Sequence, residues 1–172
     1  MSIGNKILII GPGGSGKSTL ARQLGEKHDL PVIHLDKEFW NAGWVQTPKE
    51  EWHDKQKMLL SGPCWIADGN FGGSLELRLE RADTVIFLDF SRFASMRGVI
   101  KRRFSNIGKT RPCMADGCPE KLDFAFLKWL WQFPSKSRPQ ILEIISNCRD
   151  VDVIVLRNRK EVRRFLVATH IS

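Results

Sequence analysis

"KILIIGPGGSGKSTLARQLGEKHDL", residues 6–30, decides the fold. An apolar strand, Ile7 to Ile10, runs into Gly11-Pro12-Gly13-Gly14-Ser15-Gly16-Lys17-Ser18, which matches G-x-x-x-x-G-K-[ST], and then into the helical run Ser18 to His28. Strand, glycine loop and helix in that order are the context that makes this pattern a phosphate-binding loop rather than a glycine-rich turn. The glycines let backbone N–H groups turn inward around phosphate oxygens, and the helix N-terminus adds its partial positive charge. Lys17 should reach the β- and γ-phosphates, and Ser18 offers a hydroxyl to Mg²⁺. Gly11, Pro12, Gly13, Gly14, Ser15, Gly16, Lys17, Ser18 and Thr19 are therefore the expected ATP-binding residues.

Outward from this loop, short apolar runs recur at Val32 to Leu35, Trp65 to Ala67, Val85 to Leu88 and Val153 to Leu156. They alternate with helical or loop segments, the pattern of a parallel α/β sheet. Thr47-Pro48-Lys49-Glu50 reads as a capping box with proline at the first helical position, opening a helix that stops near Gly62-Pro63. Between the fourth and fifth strands a basic helix (about Phe93 to Ser105) leads into "NIGKTRPCMADGCPE", and helices follow at about Glu120 to Phe133 and Ser137 to Cys148. A glycine-punctuated basic flap between helices is what a kinase lid needs, to close over phosphates and exclude water. A solvated surface loop is the plainer alternative. No repeat or long linker divides the chain, so residues 1–172 read as a single domain, with an acceptor segment at about 36–63 and a lid at about 97–138.

Composition narrows the class. No apolar run near the start is long enough for a signal peptide core or a membrane span, which gives a cytoplasmic expectation. Four scattered cysteines (Cys64, Cys113, Cys118, Cys148) offer neither a disulfide framework nor a four-ligand zinc set, and reduced thiols are expected. The formal charge is +8 and unevenly spread. Residues 1–90 hold 10 Lys/Arg against 12 Asp/Glu, a net of −2, whereas residues 91–172 hold 17 against 7, a net of +10. Such asymmetry points to an anionic partner, either a polyphosphate nucleotide or DNA. A GTPase would need N-K-x-D late in the chain, and "NRKE" at 158–161 does not supply it. A small kinase is favoured.

Three of the apolar runs end in aspartate: Asp36 in "HLD", Asp68 in "WIAD" and Asp89 in "IFLD". A P-loop enzyme needs one carboxylate, on the strand beside the P-loop strand, to hold the water shell of magnesium. Gly69, after Asp68, would let the backbone approach a ligand closely, which favours Asp68 with Ser18 as the metal site. Asp89 reads as metal ligand or buttress. Asp36 is then free to bind the acceptor and take its proton.

The segments "GPGGSGKSTLARQL", "PVIHLDKEFWNAGW", "WIADGNF", "LRLERADTVIFLD" and "GKTRPCMADGCPEKLDFAFLKWLW" together resemble the small P-loop kinases that carry the name DNA topology modulation protein, relatives of adenylate kinase. The resemblance covers most of the chain, from Lys6 to about Leu166. It implies a five-stranded parallel sheet in the order 2-3-1-4-5, flanked by helices, with a short helical lid. That order puts Asp68 beside the P-loop strand. It also implies lid arginines that close on the transferring phosphoryl group, for which Arg103, Arg111 and Arg138 are chosen from a set that includes Arg97 and Arg102. Arg157, with Arg159, falls where such relatives hold adenine. One departure matters: adenylate kinases place an arginine just after D-G-F-P, whereas "DGNFGGSLELR" offers Asn70 and, later, Arg78.

Trp40 and Trp44 are four apart, beside Asp36, and read as buried packing ahead of a base-stacking wall. Trp129 and Trp131 are two apart in a helix and cannot share one face, so one is expected at an interface, such as that of a homodimer. The functional expectation is a kinase: ATP and Mg²⁺ as cofactors, and a nucleoside or nucleotide as acceptor, held by Asp36, Trp40, Asn70 and Arg78. A nucleotide-switched DNA-associated protein and a simple ATPase are the alternatives.

Overall fold

The computed structural model describes residues 2–106, 110–119, 123–148 and 150–171. Parts of the expected lid, 107–109 and 120–122, lie outside the described residues. Five parallel strands form the centre: β1 (Lys6–Ile10), β2 (Val32–His34), β3 (Trp65–Asp68), β4 (Thr84–Leu88) and β5 (Asp152–Leu156). They lie in the order β2-β3-β1-β4-β5, the order that the resemblance implies. Among the described residues the helices are α1 (Lys17–His28), α2 (Leu35–Phe39), α3 (Lys49–Leu59), α4 (Leu75–Leu79), α5 (Arg92–Ser105), α6 (Phe124–Gln132), α7 (Ser137–Ser146) and α8 (Arg159–Ala168).

β1 is central because it is apolar on both faces, and successive side chains point to opposite sides. Ile7 and Ile9 join Ile66, Ile86 and Leu88 against Leu20 and Leu24 of α1 and Phe165 of α8. Leu8 and Ile10 join Ala67, Val85 and Phe87 against Leu75 and Leu79 of α4 and Ile141 and Ile145 of α7. Each of these aliphatic side chains, fully buried, contributes roughly 1.5–3 kcal/mol by leaving water. Ile9 sits opposite Asp68 and Ile10 opposite Phe87, so the phosphate loop leaves β1 at the edge where Asp68 ends β3. Ligands of open α/β sheets bind at that carboxyl edge.

Three local expectations are corrected. "HLD" is not a strand to its end: the strand stops at His34, and buried Leu35 opens a short helix with Asp36 in its first turn, where an acidic side chain suits the helix dipole. The capping box before α3 does not form. The Thr47 hydroxyl donates instead to the Phe39 carbonyl (2.6 Å), and Pro48 is the cap residue of a helix with no side-chain cap. The helix expected from Glu120 begins at Phe124, where Asp123 accepts from the Ala125 N–H (2.9 Å).

Outside the sheet, Trp40–Asn41 and Val45–Gln46 form a small antiparallel hairpin. It docks on the flap: Gly43 N–H donates to Gly117 O (3.0 Å), and the Cys118 thiol to Asn41 O (3.2 Å). Among the described residues, no helix is long and apolar enough to cross a membrane.

Candidate active site

The loop between β1 and α1 is held in shape by its own short bonds. Ser15, nearly fully buried, donates its hydroxyl to Pro12 O (2.8 Å). Gly14 has φ +76°, a conformation that L side chains rarely adopt, and a Cβ there would strike the backbone of Ser95 and Val99 in α5. Gly98 returns the contact, since a Cβ on it would meet the Gly14 carbonyl. Helix α5 therefore rests directly on the phosphate loop. At the start of α1, Gly16 supplies no side-chain cap and the first turn carries no acidic residue, which leaves its N–H groups and partial positive charge for an anion.

Lys17 folds back over the loop, donating from Nζ to Gly11 O (2.8 Å) and Pro12 O (3.2 Å). Desolvation lowers its pKa; Asp36 and Asp68 oppose that shift, and the charges of Arg102 and Arg111 add to it. Asp68, 2% exposed, stands behind Ser18 and does not itself line the cleft. It accepts from the Ser18 hydroxyl (2.6 Å) on one oxygen and meets His34 Nδ1 on the other. A carboxylate can only accept, so Nδ1 carries the proton and fixes the carboxylate's orientation. Ser18, with its proton turned to Asp68, presents its oxygen lone pairs to the cleft that it lines. Two hard oxygen groups beside the phosphate loop fit Mg²⁺, which takes few protein ligands and completes its shell with water and phosphate oxygens. Ser18 and Asp68 would hold that ion, Asp68 through water. Bound there, it would neutralise charge on the phosphates.

The cleft that Ser18 lines has a volume of about 1380 Å³. That exceeds the usual 300–1,000 Å³ or so of a single-ligand pocket and suits two substrates. Among the described residues, eight Lys/Arg side chains line it against two carboxylates, Asp36 and Asp123. Asp36, half-buried, has its pKa raised above the ordinary carboxylate range by burial, an effect that Lys17 partly offsets and Asp68 reinforces. Arg111 and Arg102 act on Asp36 in the same sense as Lys17. Asp36, Lys17 and these two arginines thus share one electrostatic field.

Of the ATP-binding residues expected from sequence, Gly13, Gly14, Gly16, Lys17, Ser18, Thr19 and Arg157 line the cleft. Gly11, Pro12 and Ser15 are buried behind it as the loop's support. Trp40 and Trp44 line the cleft too, edge to face with ring centroids 5.4 Å apart, and pack on Met114, Ala115 and Cys118 of the flap. Packing and wall are thus one surface. Asn70 also lines it, while its side-chain oxygen accepts from the Gly11 N–H (3.4 Å).

Several expected residues stand elsewhere. Arg78 is 0% exposed and donates to the carbonyls of Ser74 (3.2 Å), Gly69 (3.2 Å) and Phe71 (2.5 Å), so it shapes the loop after β3 and does not line the cleft. Its burial brings its pKa down to about 9. Arg138 forks onto Asp89 (2.7 and 2.8 Å) and does not line the cleft; Asp89 is accordingly a buttress. Arg103 does not line the cleft either, and its buried Nη1 has no hydrogen-bond partner among the described residues. Its neighbour Arg102 is the one that faces in, its guanidinium 6.0 Å from the Phe126 ring centroid. Gly69 makes room for Leu35: a Cβ there would lie 2.8 Å from the Leu35 Cβ.

Sequence reasoning missed His34, although it stands in the quoted "HLD". It also favoured Arg103 over Arg102. On α5 the cleft-lining residues Arg97, Gly98, Lys101, Arg102 and Ser105 share one face, about a quarter turn from buried Ser95 and Val99, so the buried positions alone do not choose between Arg102 and Arg103.

No family model matches the chain, and no curated protein matches it. Solved structures do. A shikimate kinase from Acinetobacter baumannii, in complex with shikimate, superposes with a TM-score of 0.60 at 15% identity, over 95% of this chain and 89% of that one. A gluconokinase from Sinorhizobium meliloti 1021 gives 0.55 at 15% identity, over 97% and 94%. A shikimate kinase from Bacteroides thetaiotaomicron gives 0.52 at 16%, over 94% and 93%. At these identities the likeness is one of fold, and the chain has the P-loop α/β fold of small kinases.

Proposed function

We propose that this chain transfers the γ-phosphoryl group of ATP to a hydroxyl of a small acceptor of nucleoside or nucleotide type, with Mg²⁺. The observation that carries the reading is convergence: Lys17, Asp36, Arg102 and Arg111 come from four separate segments into one electrostatic field beside Ser18 and Asp68. Phosphoryl transfer needs little covalent chemistry from the protein; positioning and charge stabilisation supply the rate. Here the phosphate loop and α1 hold the triphosphate, and Lys17 swings from its carbonyl partners to the phosphates. Arg102 and Arg111 meet the charge that develops on the equatorial oxygens. Arg157 and Arg159 border the nucleoside end. Asp36 orients the acceptor hydroxyl and takes its proton, a task for which a raised pKa is suited.

The structural neighbours' names, kinases of small hydroxylated molecules, support the reaction class. The resemblance to the DNA topology modulation proteins rests on the sequence motifs and leaves the reaction itself unstated. DNA binding was suggested by the basic second half, yet Arg97, Lys101, Arg102 and Arg163 of that half line the cleft. A phosphate cleft accounts for them.

The test is ADP release in a screen of nucleosides, nucleoside monophosphates and small hydroxylated metabolites. Release is expected to depend on both acceptor and Mg²⁺, and to fall about 10³-fold or more in Lys17→Ala, which removes the phosphate-binding ammonium. Acceptor phosphorylation that survives Lys17→Ala would overturn the reading.

A further inference from the structure

Adjoining the cationic cleft at Asp36 is a second cavity of about 410 Å³. Asp36, Asn70, Phe126 and Trp129 line both spaces and form the partition between them. The body of the second cavity is apolar, built from Phe71, Leu75, Trp129, Ile141 and Ile144. Its polar groups besides Asp36 are Asn70, Ser137 and Gln140, all of them neutral.

Among the described residues no Lys or Arg lines this cavity. The two arginines nearest to it in sequence have their donors committed. Arg78, three residues after Leu75, spends its guanidinium on three backbone carbonyls. Arg138, beside Ser137, is forked onto Asp89. A carboxylate or phosphate placed here would lie against the apolar body and face the Asp36 carboxylate, with no described Lys or Arg lining the space to pair with it, and both effects oppose binding.

From this we infer that the acceptor is an uncharged alcohol with an apolar body, seated in this second cavity with its hydroxyl directed to Asp36 and Asn70. The inference rests on the phosphotransfer reading and narrows it, to a nucleoside-like rather than a nucleotide-like molecule. It also sets this chain apart from the neighbour that holds shikimate, an anion. In the step itself the acceptor oxygen forms a bond to the γ-phosphorus. The bond from that phosphorus to the β–γ bridging oxygen breaks, its electron pair leaves with ADP, and the hydroxyl proton passes to Asp36.

The experiment labels the tryptophans of the full chain with 5-fluorotryptophan and assigns the Trp129 fluorine signal through Trp129→Phe. The cleft is first saturated with a non-hydrolysable ATP analogue, and that titration checks the kinase reading on its own. Two matched pairs are then titrated: adenosine with adenosine monophosphate, and cyclohexanemethanol with cyclohexanecarboxylate. The neutral member of each pair is expected to shift the Trp129 signal with affinity about tenfold or more above its anionic partner. In Gln140→Lys, which brings a cation to the cavity, the anionic members should gain affinity several-fold. Equal or tighter binding of the anions to the unmodified chain overturns the inference, as does a Trp129 signal that none of the four moves. Anion affinity unchanged in Gln140→Lys overturns it too.

Discussion

The two spaces that meet at Asp36 are lined from the same small fold and differ most in charge. On one side eight described Lys/Arg side chains face a cleft; on the other no described Lys or Arg lines the cavity at all. The difference is not one of local composition, because arginines are present on both sides. It lies in what the guanidiniums are bonded to. Arg102 and Arg111 line the cleft and act on Lys17 and Asp36; Arg78 also acts on Asp36 but has its donors on backbone carbonyls, and Arg138 is paired with Asp89. A charged side chain counts toward a site only when its partners leave it facing the ligand.

The largest expected effect falls on the partition. Asp36→Asn should lower kcat by about 10²–10⁴-fold, the span of a general base, while leaving ATP affinity nearly intact. If ATP affinity fell in step with kcat, Asp36 would belong to the metal site and the division between the two spaces would break. The pH profile sharpens the same point. Burial raises the Asp36 pKa, and the ionised form is the one that can take a proton. Activity should therefore fall as pH drops through that raised pKa, with an acid limb above the ordinary carboxylate range. The residual activity of Asp36→Asn should lack that limb.

A second test compares adjacent arginines. Arg102→Ala should lower kcat by about 10²–10³-fold, as expected for the loss of one charge-stabilising donor. Arg103→Ala should change kcat by less than about threefold, because its side chain does not line the cleft. Equal losses in single-turnover assays would show that α5 presents a different face when substrates are bound.

The smallest effect is expected at Arg138. Its pair with Asp89 is part-exposed, so Arg138→Ala should cost about 1 kcal/mol of stability or less, measured by urea unfolding. Turnover of ATP and acceptor should stay unchanged. A large loss of kcat with stability intact would place Arg138 in the reaction and remove the contrast drawn above.

The phosphate side was legible because its chemistry is local. Gly11 to Ser18 carry strand exit, loop and helix entry within one short segment, and the spacing itself marks a phosphate loop. The sheet was legible for a similar reason, since apolar runs bounded by turns mark strands wherever the chain places them. The resemblance supplied the strand order, and with it the position of Asp68 beside β1. His34 could not be read this way. Its partner is Asp68, thirty-four residues on, and only the pairing of β2 with β3 brings the two together. The neighbour that Gly69 makes room for, Leu35 on another strand's exit, was hidden for the same reason.

By itself, then, the sequence determined the phosphate loop, the five strands and the three carboxylates at or within two residues of their ends, all features set within a few consecutive residues. Tertiary structure alone decided which of those carboxylates receives Ser18, which arginines of the second half face the cleft, and that the second cavity at Asp36 holds no described cation. The physical reason is that burial and partner choice depend on contacts between distant segments. A guanidinium reads identically in sequence whether it meets a phosphate, a carboxylate or three backbone carbonyls.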